Sequence, residues 1–305
     1  MFEHTKLVVI LVNYNGYSDT KSCLQSILNS HSDDLPFVVL VDNASSEPLP
    51  NIEEFYPIIH IIRNSSNIGF GRANNQGINW ANEHLQFSYL LLLNNDTLVQ
   101  PGSFNALIKP FEQDDRIAIT TCKTMYEGKR DIVWYGGGEI NFKRGWPSIQ
   151  DFNKPASLQG ANNSRYVSFA SGCVMMFTKQ SIKEFGGFDD NFFMYCEDLE
   201  LCLRVLKMGY KIYYTSEGTI YHKVQGSTKG KSVVTGMNHN NPNLEFLFTN
   251  MKVNQFKAME KNIEGLSLLI FKFVYSIEFS LKVLKLMIKG RMDMPIIAIK
   301  TLGKI

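Results

Sequence analysis

Through the first 120 residues, short apolar runs rich in β-branched side chains alternate with longer stretches of helical periodicity. The runs are Leu7 to Val12, Phe37 to Val41, Ile58 to Ile62, Tyr89 to Leu93 and Ile117 to Thr120, and helices are expected from about Ser18, Gly71 and Gly102. Strands this apolar cannot leave one face in water, so the alternation predicts an α/β fold whose mostly parallel sheet is covered by helices on both sides. In such sheets ligands sit beyond the carboxyl ends of the strands. That rule singles out Asn13-Tyr14-Asn15, Asp42-Asn43 and Asn94-Asn95-Asp96, each of which ends a predicted strand.

Farther along, Tyr126 to about Tyr166 breaks into Gly, Asn and Pro punctuation with scattered aromatics, which reads as loop and irregular strand beside the sheet. A helix follows Glu197, strands are expected near Lys211 to Tyr214 and Thr219 to His222, and everything beyond Asn243 looks helical. A catalytic domain over residues 1–240 and a helical appendage over 241–305 are therefore expected. With 305 residues, 44% of them hydrophobic, the chain can bury a sizeable core. Its formal net charge of +2 gives no whole-chain case for binding nucleic acid. The five cysteines are odd in number and show no metal-ligand spacing, so reduced thiols are expected. The chain enters a β-like run almost at once, without the long apolar region of a signal peptide, and a cytoplasmic catalytic portion is expected.

Chemistry-bearing residues cluster in four places. The run from Phe192 to Arg204 sets Glu197 and Asp198 in the first turn of an amphipathic helix, where the macrodipole favours ionised carboxylates. An anionic side chain there suits a general base that deprotonates a sugar hydroxyl. The bland alternative is that both acids cap the helix while Glu200 pairs with Arg204. Asp42-Asn43-Ala44-Ser45-Ser46 ends a buried strand with a carboxylate able to accept from a base N–H, although Asx turns end many strands without function. The stretch from Asn64 to Gly77 joins glycines, Arg72 and several amides at a helix start, as an anionic diphosphate requires. It is no dinucleotide fingerprint, because Gly69-x-Gly71 is followed by Asn74 where the third glycine should stand. Finally, Leu90 to Leu93 runs straight into Asn94-Asn95-Asp96-Thr97, where Asp96 is a hard-oxygen ligand for Mg²⁺ or Mn²⁺ bridging two phosphates, or simply part of a turn.

Together these segments resemble the family 2 inverting glycosyltransferases with the GT-A fold, a Rossmann-like sheet flanked by helices, and within them the bacterial rhamnosyltransferase-like subgroup. The resemblance covers roughly residues 6 to 228, and its motifs occur in the family's order. Val12-Asn13-Tyr14-Asn15-Gly16 looks like the first nucleotide-contacting turn, and Val41 to Ser45 like the base-binding aspartate segment. Asn67-Ile68-Gly69-Phe70-Gly71 with Asn74-Asn75-Gln76-Gly77 matches the subgroup's Asn-x-Gly-Phe and Asn-x-Gly loop. Leu93 to Thr97 stands where the family carries its DXD metal motif, with only the last position acidic. Gly186-Gly187-Phe188-Asp189, Glu197-Asp198, Arg204 and Gly209-Tyr210 look like the acceptor loop and the catalytic-base helix, with Glu200 in place of a common aspartate. The stretch from Phe246 to Lys257 only loosely follows the family's arginine-containing helix.

The resemblance implies a division of labour. Asp198 is the base, and Glu197 positions the acceptor or tunes that base. Asn13, Asn15, Asp42, Asn43, Asn67, Gly69, Arg72, Asn75 and Asn95 bind the donor. Asp96 holds Mg²⁺ or Mn²⁺, and the resemblance offers His222, from Tyr221-His222-Lys223-Val224-Gln225-Gly226-Ser227, as the second ligand. Trp134 and Gly136-Gly137-Gly138 are candidates for the sugar or acceptor surface. The implied reaction is metal-dependent, inverting transfer of a sugar, rhamnose first, from a dTDP- or UDP-sugar to a glycan or polyprenyl-diphosphate-linked acceptor, as in O-antigen or other surface polysaccharide synthesis. The alternatives are another sugar specificity and a non-catalytic sugar-nucleotide-binding assembly protein. A nucleotidyltransferase is disfavoured, since no glycine-rich loop with a lysine follows the first strand.

The tail from Gly265 to Lys289 is strongly apolar, yet it never reaches an uncharged span of the roughly 20 residues needed to cross a bilayer. Glu264, Ser267, Glu278, Lys282, Lys285 and Lys289 share one narrow stripe at helical spacing, so the helix must bury a wide apolar face. From Lys261 to Ile305, eight basic residues face three acids, a net of +5. Peripheral contact with the cytoplasmic face of the inner membrane, or packing on the catalytic domain or a second subunit, would each satisfy that face.

Overall fold

The computed structural model describes residues 3–30, 35–47, 52–224 and 243–305, so the Gln225-Gly226-Ser227 end of the histidine motif lies outside the described residues. The main strands are β1 (Leu7–Asn13), β2 (Phe37–Asp42), β3 (Ile59–Arg63), β4 (Tyr89–Asn94), β5 (Ile117–Tyr126), β6 (Val174–Thr178) and β7 (Lys211–His222). They lie in the order β3-β2-β1-β4-β6-β5-β7 within a ten-stranded sheet completed by Thr97–Val99, Lys129–Tyr135 and Arg165–Val167. β1 to β4 run parallel, β6 enters antiparallel between β4 and β5, and β7 returns parallel to β5. The two strands expected at Lys211 to Tyr214 and Thr219 to His222 are one strand, with its register shifted between Thr215 and Thr219. The irregular region after Tyr126 contains Lys129–Tyr135, paired with β5, and a hairpin of Gly138–Asn141 with Trp146–Ile149.

Alternation along the strands explains the two-sided burial. In β1, Val8 and Ile10 join one core cluster and Leu7, Val9 and Leu11 the other, so the strand is buried on both faces. Each fully buried Val, Ile or Leu contributes about 1.5–3 kcal/mol relative to exposure. The helices are α1 (Tyr17–Ser30), α2 (Phe70–His84), α3 (Ser103–Ile108), α4 (Lys179–Phe185), α5 (Glu197–Lys207), α6 (Leu244–Asn262), α7 (Gly265–Ile288) and α8 (Met294–Leu302). Ile78 and Ala81 of α2 pack with Ile10, whereas Cys23, Leu24 and Ile27 of α1 pack with Val9 on the opposite side.

The C-terminal helices share the sheet's core. Phe248 and Met259 of α6 and Phe271 of α7 belong to the same buried cluster as Leu199 and Leu203 of α5. On α7, Phe271, Tyr275, Phe279 and Leu286 are buried, while Leu266, Leu269, Phe273, Leu281, Leu284 and Ile288 are 52–78% exposed. The apolar tail thus packs with one face and leaves the other in solvent. Among the described residues, no helix is long and apolar enough to cross a membrane.

Gly145, at the tip of the 138–149 hairpin, seats that hairpin on the helices. Its φ is +61°, and a Cβ there would lie 2.5 Å from Phe271 Cε2 and 2.7 Å from Met259 Cγ, both buried. Gly145→Ala should therefore destabilise the protein by on the order of 2–4 kcal/mol, from the left-handed backbone and the overpacking together. Urea denaturation checks this, and an unchanged midpoint would mean that the hairpin is not seated on α6 and α7.

Candidate active site

Register brings the polar strand ends side by side. Asn13 pairs with Asp42 across β1 and β2, and Val12 with Asn94 across β1 and β4. Asn13 is fully buried. Its Nδ2 donates to Asp42 Oδ1 (3.0 Å) and Ser45 Oγ (2.9 Å), and its Oδ1 accepts from Gly16 N–H, Thr20 Oγ1 and Asn95 Nδ2. A side chain so fully used holds Asp42 and Asn95 in place and has little left to offer a donor. Asn15, with φ 56°, accepts from the N–H and hydroxyl of Ser46, which clasps the first turn to the second.

The next layer of amides is also a scaffold. Asn43 accepts from the Ile68 N–H and donates to Asn67 Oδ1 (2.9 Å), pinning the glycine loop to the end of β2. A Cβ on Gly69 (φ +92°) would stand 2.3 Å from the carbonyl oxygen of Phe193, so this glycine lets the donor-side loop touch the loop that leads into α5. Asn75 and Arg72, expected on the donor, are also tied to that loop. Asn75 exchanges hydrogen bonds with both backbone groups of Phe188 (2.7 and 2.9 Å), and Arg72 Nε donates to the Asp190 carbonyl (2.8 Å). The Glu200–Arg204 pair exists as well (2.9 Å), and Arg204 also binds the carbonyls of Phe185 and Gly187 to anchor the acceptor loop.

Asp96 and His222 meet because the Thr97–Val99 strand runs antiparallel to the end of β7, with His222 opposite Thr97. His222 Nε2 lies 3.0 Å from Asp96 Oδ1, and His222 Nδ1 is buried without a hydrogen-bond partner. Burial by itself lowers the imidazole pKa, but the Cys173 sulfur and the Asp96 carboxylate beside it raise it to about 10. A carboxylate oxygen and an imidazole nitrogen 3.0 Å apart are a donor pair that a divalent ion could share in place of a proton. Among the described residues no three His, Cys, Asp or Glu side chains are placed to hold a metal ion by themselves, so phosphate oxygens and water would complete such a shell.

Glu197 and Asp198 open α5 beside a cavity of about 510 Å³. Trp134, Trp146, Phe152, Phe169 and Tyr195 give it aromatic walls, and among the described residues neither Lys, Arg nor His lines it. Asp198 Oδ2 accepts from the Gly172 N–H (3.1 Å) and Oδ1 from the Leu199 N–H (2.8 Å), whereas Glu197 Oε2 is buried without a partner. Burial pushes the Glu197 carboxyl up to about 8, with the Asp198 charge adding to the rise. Burial also raises Asp198, but its two N–H donors hold it back. Of the two, Glu197 holds a proton more readily, because the backbone N–H groups of Gly172 and Leu199 favour the charged form of Asp198. The helix dipole, worth about 0.3–1 kcal/mol at exposed sites, cannot keep Glu197 ionised when a single pKa unit costs about 1.4 kcal/mol.

Trp134 joins the two halves. It lines the cavity, and its ring meets the His222 imidazole edge to face at 4.4 Å. A nucleotide-side pair and a proton acceptor flanking one aromatic-walled cavity suit group transfer to a hydroxyl. Residues 8–186, more than half of the chain, match the family model described as glycosyl transferase family 2. The chain is a family 2 glycosyltransferase. Residues 160–225 also match the model called N-terminal domain of galactosyltransferase. Among curated relatives, this glycosyltransferase is 27% identical to the rhamnosyltransferase WbbL of Escherichia coli K12, over 68% of this chain and 80% of that one. It is 25% identical to the N-acetylglucosaminyl-diphospho-decaprenol L-rhamnosyltransferase of Mycobacterium tuberculosis, over 62% and 67%.

Solved structures show the GT-A fold. GalNAc-T7 with UDP, GalNAc and Mn²⁺ superposes with a TM-score of 0.63 at 16% identity, covering 84% of this chain and 48% of the other. This enzyme therefore spans about half the length of that protein. The mannosyltransferase PcManGT of Pyrobaculum calidifontis, with GDP-Man and Mn²⁺, gives 0.57 at 14% identity, covering 99% and 74%.

Sequence reasoning missed part of the cavity. Trp146 was one aromatic among several in an irregular region, and nothing local marks Phe152, Phe169 or Met251 as lining. The Glu197 proton carries a testable sign. A folded pKa raised from 4.5 to about 8 contributes stability below pH 4.5 that is lost as pH climbs to 8. The Tm of Glu197→Gln minus that of the parent should therefore grow from pH 5 to pH 9. Calorimetric scans across that range check it, and a flat difference would place the buried proton elsewhere.

Proposed function

We propose that this enzyme transfers a deoxyhexose, rhamnose first, with inversion, from a dTDP- or UDP-sugar to a hydroxyl of a lipid-diphosphate-linked glycan in bacterial surface polysaccharide synthesis. The observation that carries the reading is Asp198, held by two backbone N–H groups, facing the same cavity as Trp134, whose ring also meets His222 of the Asp96–His222 pair. Asp198 takes the proton from the acceptor hydroxyl as it attacks the anomeric carbon from the face opposite the departing nucleotide. Glu197 Oε2 and the Trp134 Nε1–H, both buried with no hydrogen-bond partner among the described residues, are the groups placed to hydrogen-bond that acceptor. A divalent ion on Asp96 and His222, when bound, offsets the charge that develops on the leaving diphosphate. The names of the two rhamnosyltransferase relatives support the sugar and the decaprenol-linked acceptor, and Mn²⁺ in both solved neighbours supports the ion. Among the described residues no Lys, Arg or His lines the cavity, which supports an uncharged sugar rather than the diphosphate as the part of the acceptor that enters it.

Asp198→Asn should leave sugar-nucleotide binding intact while transfer falls by roughly 10²–10⁴-fold. Isothermal titration and product analysis with dTDP-rhamnose measure the two separately. EDTA, or Asp96→Asn, should weaken nucleotide binding itself. If Asp198→Asn keeps near-parental turnover, the base lies elsewhere, and unchanged affinity in EDTA would remove the metal role.

The same reading makes the outer face of α7 a peripheral contact with the cytoplasmic face of an anionic membrane. Lys282, Lys285 and Lys289 repel one another beside its exposed apolar row; burial first and this repulsion second lower the pKa of Lys282. Anionic headgroups would relieve that repulsion. All five cysteines are unpaired, in keeping with a reducing compartment. Phe273→Asp with Leu284→Asp changes only exposed positions and should abolish flotation with phosphatidylglycerol vesicles, and added salt should weaken it. Equal flotation of parent and variant would assign that face to something other than lipid.

A further inference from the structure

Directly before the carboxylate pair, two consecutive non-glycine residues stand in the left-handed region, Tyr195 at φ 72° and Cys196 at φ 65°. Each such residue costs about 1–2 kcal/mol and persists only where its surroundings impose it. The imposing group comes from the far end of the chain. Asn254, buried in the middle of α6, donates through Nδ2 to the carbonyls of both Met194 and Tyr195, each at 2.9 Å. One turn earlier, the Met251 carbonyl accepts from the Cys196 thiol, and the Met251 side chain lines the cavity.

The adjacent residue reaches the opposite wall. Gln255, also buried, donates through Nε2 to the Arg144 carbonyl at 2.8 Å. Arg144 lies two residues from Trp146, in the hairpin that Gly145 seats on Phe271 and Met259. Packing alone would be served better by apolar side chains at both positions, since a buried amide must first replace the hydrogen bonds it made to water. Here each amide is spent on a backbone carbonyl at one side of the cavity.

We propose that α6 brackets the active site: Asn254 is a positioning residue that aims Asp198, and Gln255 is a positioning residue that sets the Trp146 wall against the acceptor. The roles rest on reading the cavity as the acceptor site. They also predict a division of effects. Freed of Asn254, the turn relaxes and the base leaves its line of attack, where a displacement of about 1 Å costs on the order of 10²-fold in rate. Freed of Gln255, the wall loosens and acceptor affinity falls, while the base keeps its place.

The test compares the full chain with Asn254→Leu and Gln255→Met, which keep the volume and remove the donors, and with Lys300→Ala, which breaks an exposed α8–α6 ion pair as a control. Two readouts are needed. The first is labelling by N-ethylmaleimide, located by mass spectrometry. All five thiols are buried, so Asn254→Leu should speed labelling of Cys196 by tenfold or more and leave Cys23, Cys122, Cys173 and Cys202 protected. The second is steady-state transfer from dTDP-rhamnose to an alkyl-diphosphate-linked N-acetylglucosamine. Asn254→Leu should lower kcat about 10–100-fold with nucleotide affinity unchanged, and Gln255→Met should raise acceptor KM with kcat within twofold. Lys300→Ala should change neither readout. The bracket is overturned if Cys196 stays as slow as in the parent, if all five thiols label together, or if kcat of Asn254→Leu stays within twofold. Should the parent itself fail to transfer from this donor, the proposed substrates fall, and the labelling pattern alone decides the bracket.

Discussion

One negative charge inside an apolar cavity is the constraint on which the rest of the site depends. Asp198 has aromatic walls around it and, among the described residues, no Lys, Arg or His lining its cavity, so a charge there depends on two backbone N–H groups and on a neighbour that holds a proton more readily. Both conditions are matters of position. The Gly172 N–H belongs to the approach to β6, the Leu199 N–H to the first turn of α5, and Glu197 is the preceding residue, entering the helix through two left-handed residues. A base set in a low dielectric is more reactive than one in water, but it must be held by fixed dipoles, because solvent cannot follow it.

The donor side follows a different economy. Strand ends that register lines up are tied into one amide network, with Asn13 at its centre and Asn43, Asn67 and Asn95 around it. Amides suit this work because each both donates and accepts, so that a single buried side chain can join several loops. Arg72 and Asn75 carry the network across to the loop that leads into α5. The donor and acceptor halves are thus connected through hydrogen bonds as well as through Trp134, and a shift of one loop is felt by the other.

The C-terminal helices complete this arrangement. Their inner faces share the core of the sheet, α6 supplies a wall and two carbonyl-binding amides to the cavity, and Lys261 of α6 reaches Asp189 of the acceptor loop at 2.5 Å. The outer face of α7 is left apolar and exposed. One helix therefore serves the sheet with one side and presents an unmatched surface with the other, since its apolar residues cover more of its circumference than one interface can use.

What the sequence determined by itself was whatever depends on neighbours along the chain. Apolar runs placed β1 to β5 within a residue or so at their starts, helical periodicity placed α1, α2 and α5, and the polar residues that end β1, β2 and β4 marked the expected ligand edge of the sheet. What only the tertiary structure decided was whatever depends on distant groups. His222 meets Asp96 through strand pairing across more than a hundred residues, and no spacing rule announces it. Asn13, Asn75 and Arg72 look like ligand contacts in the sequence, and only the fold shows that they also hold other segments of the chain. Glu197, with its raised pKa, is the clearest case. Its position at a helix start argues for a charge, and only the aromatic cavity assembled from residues 134 to 251 removes the water that would have sustained it.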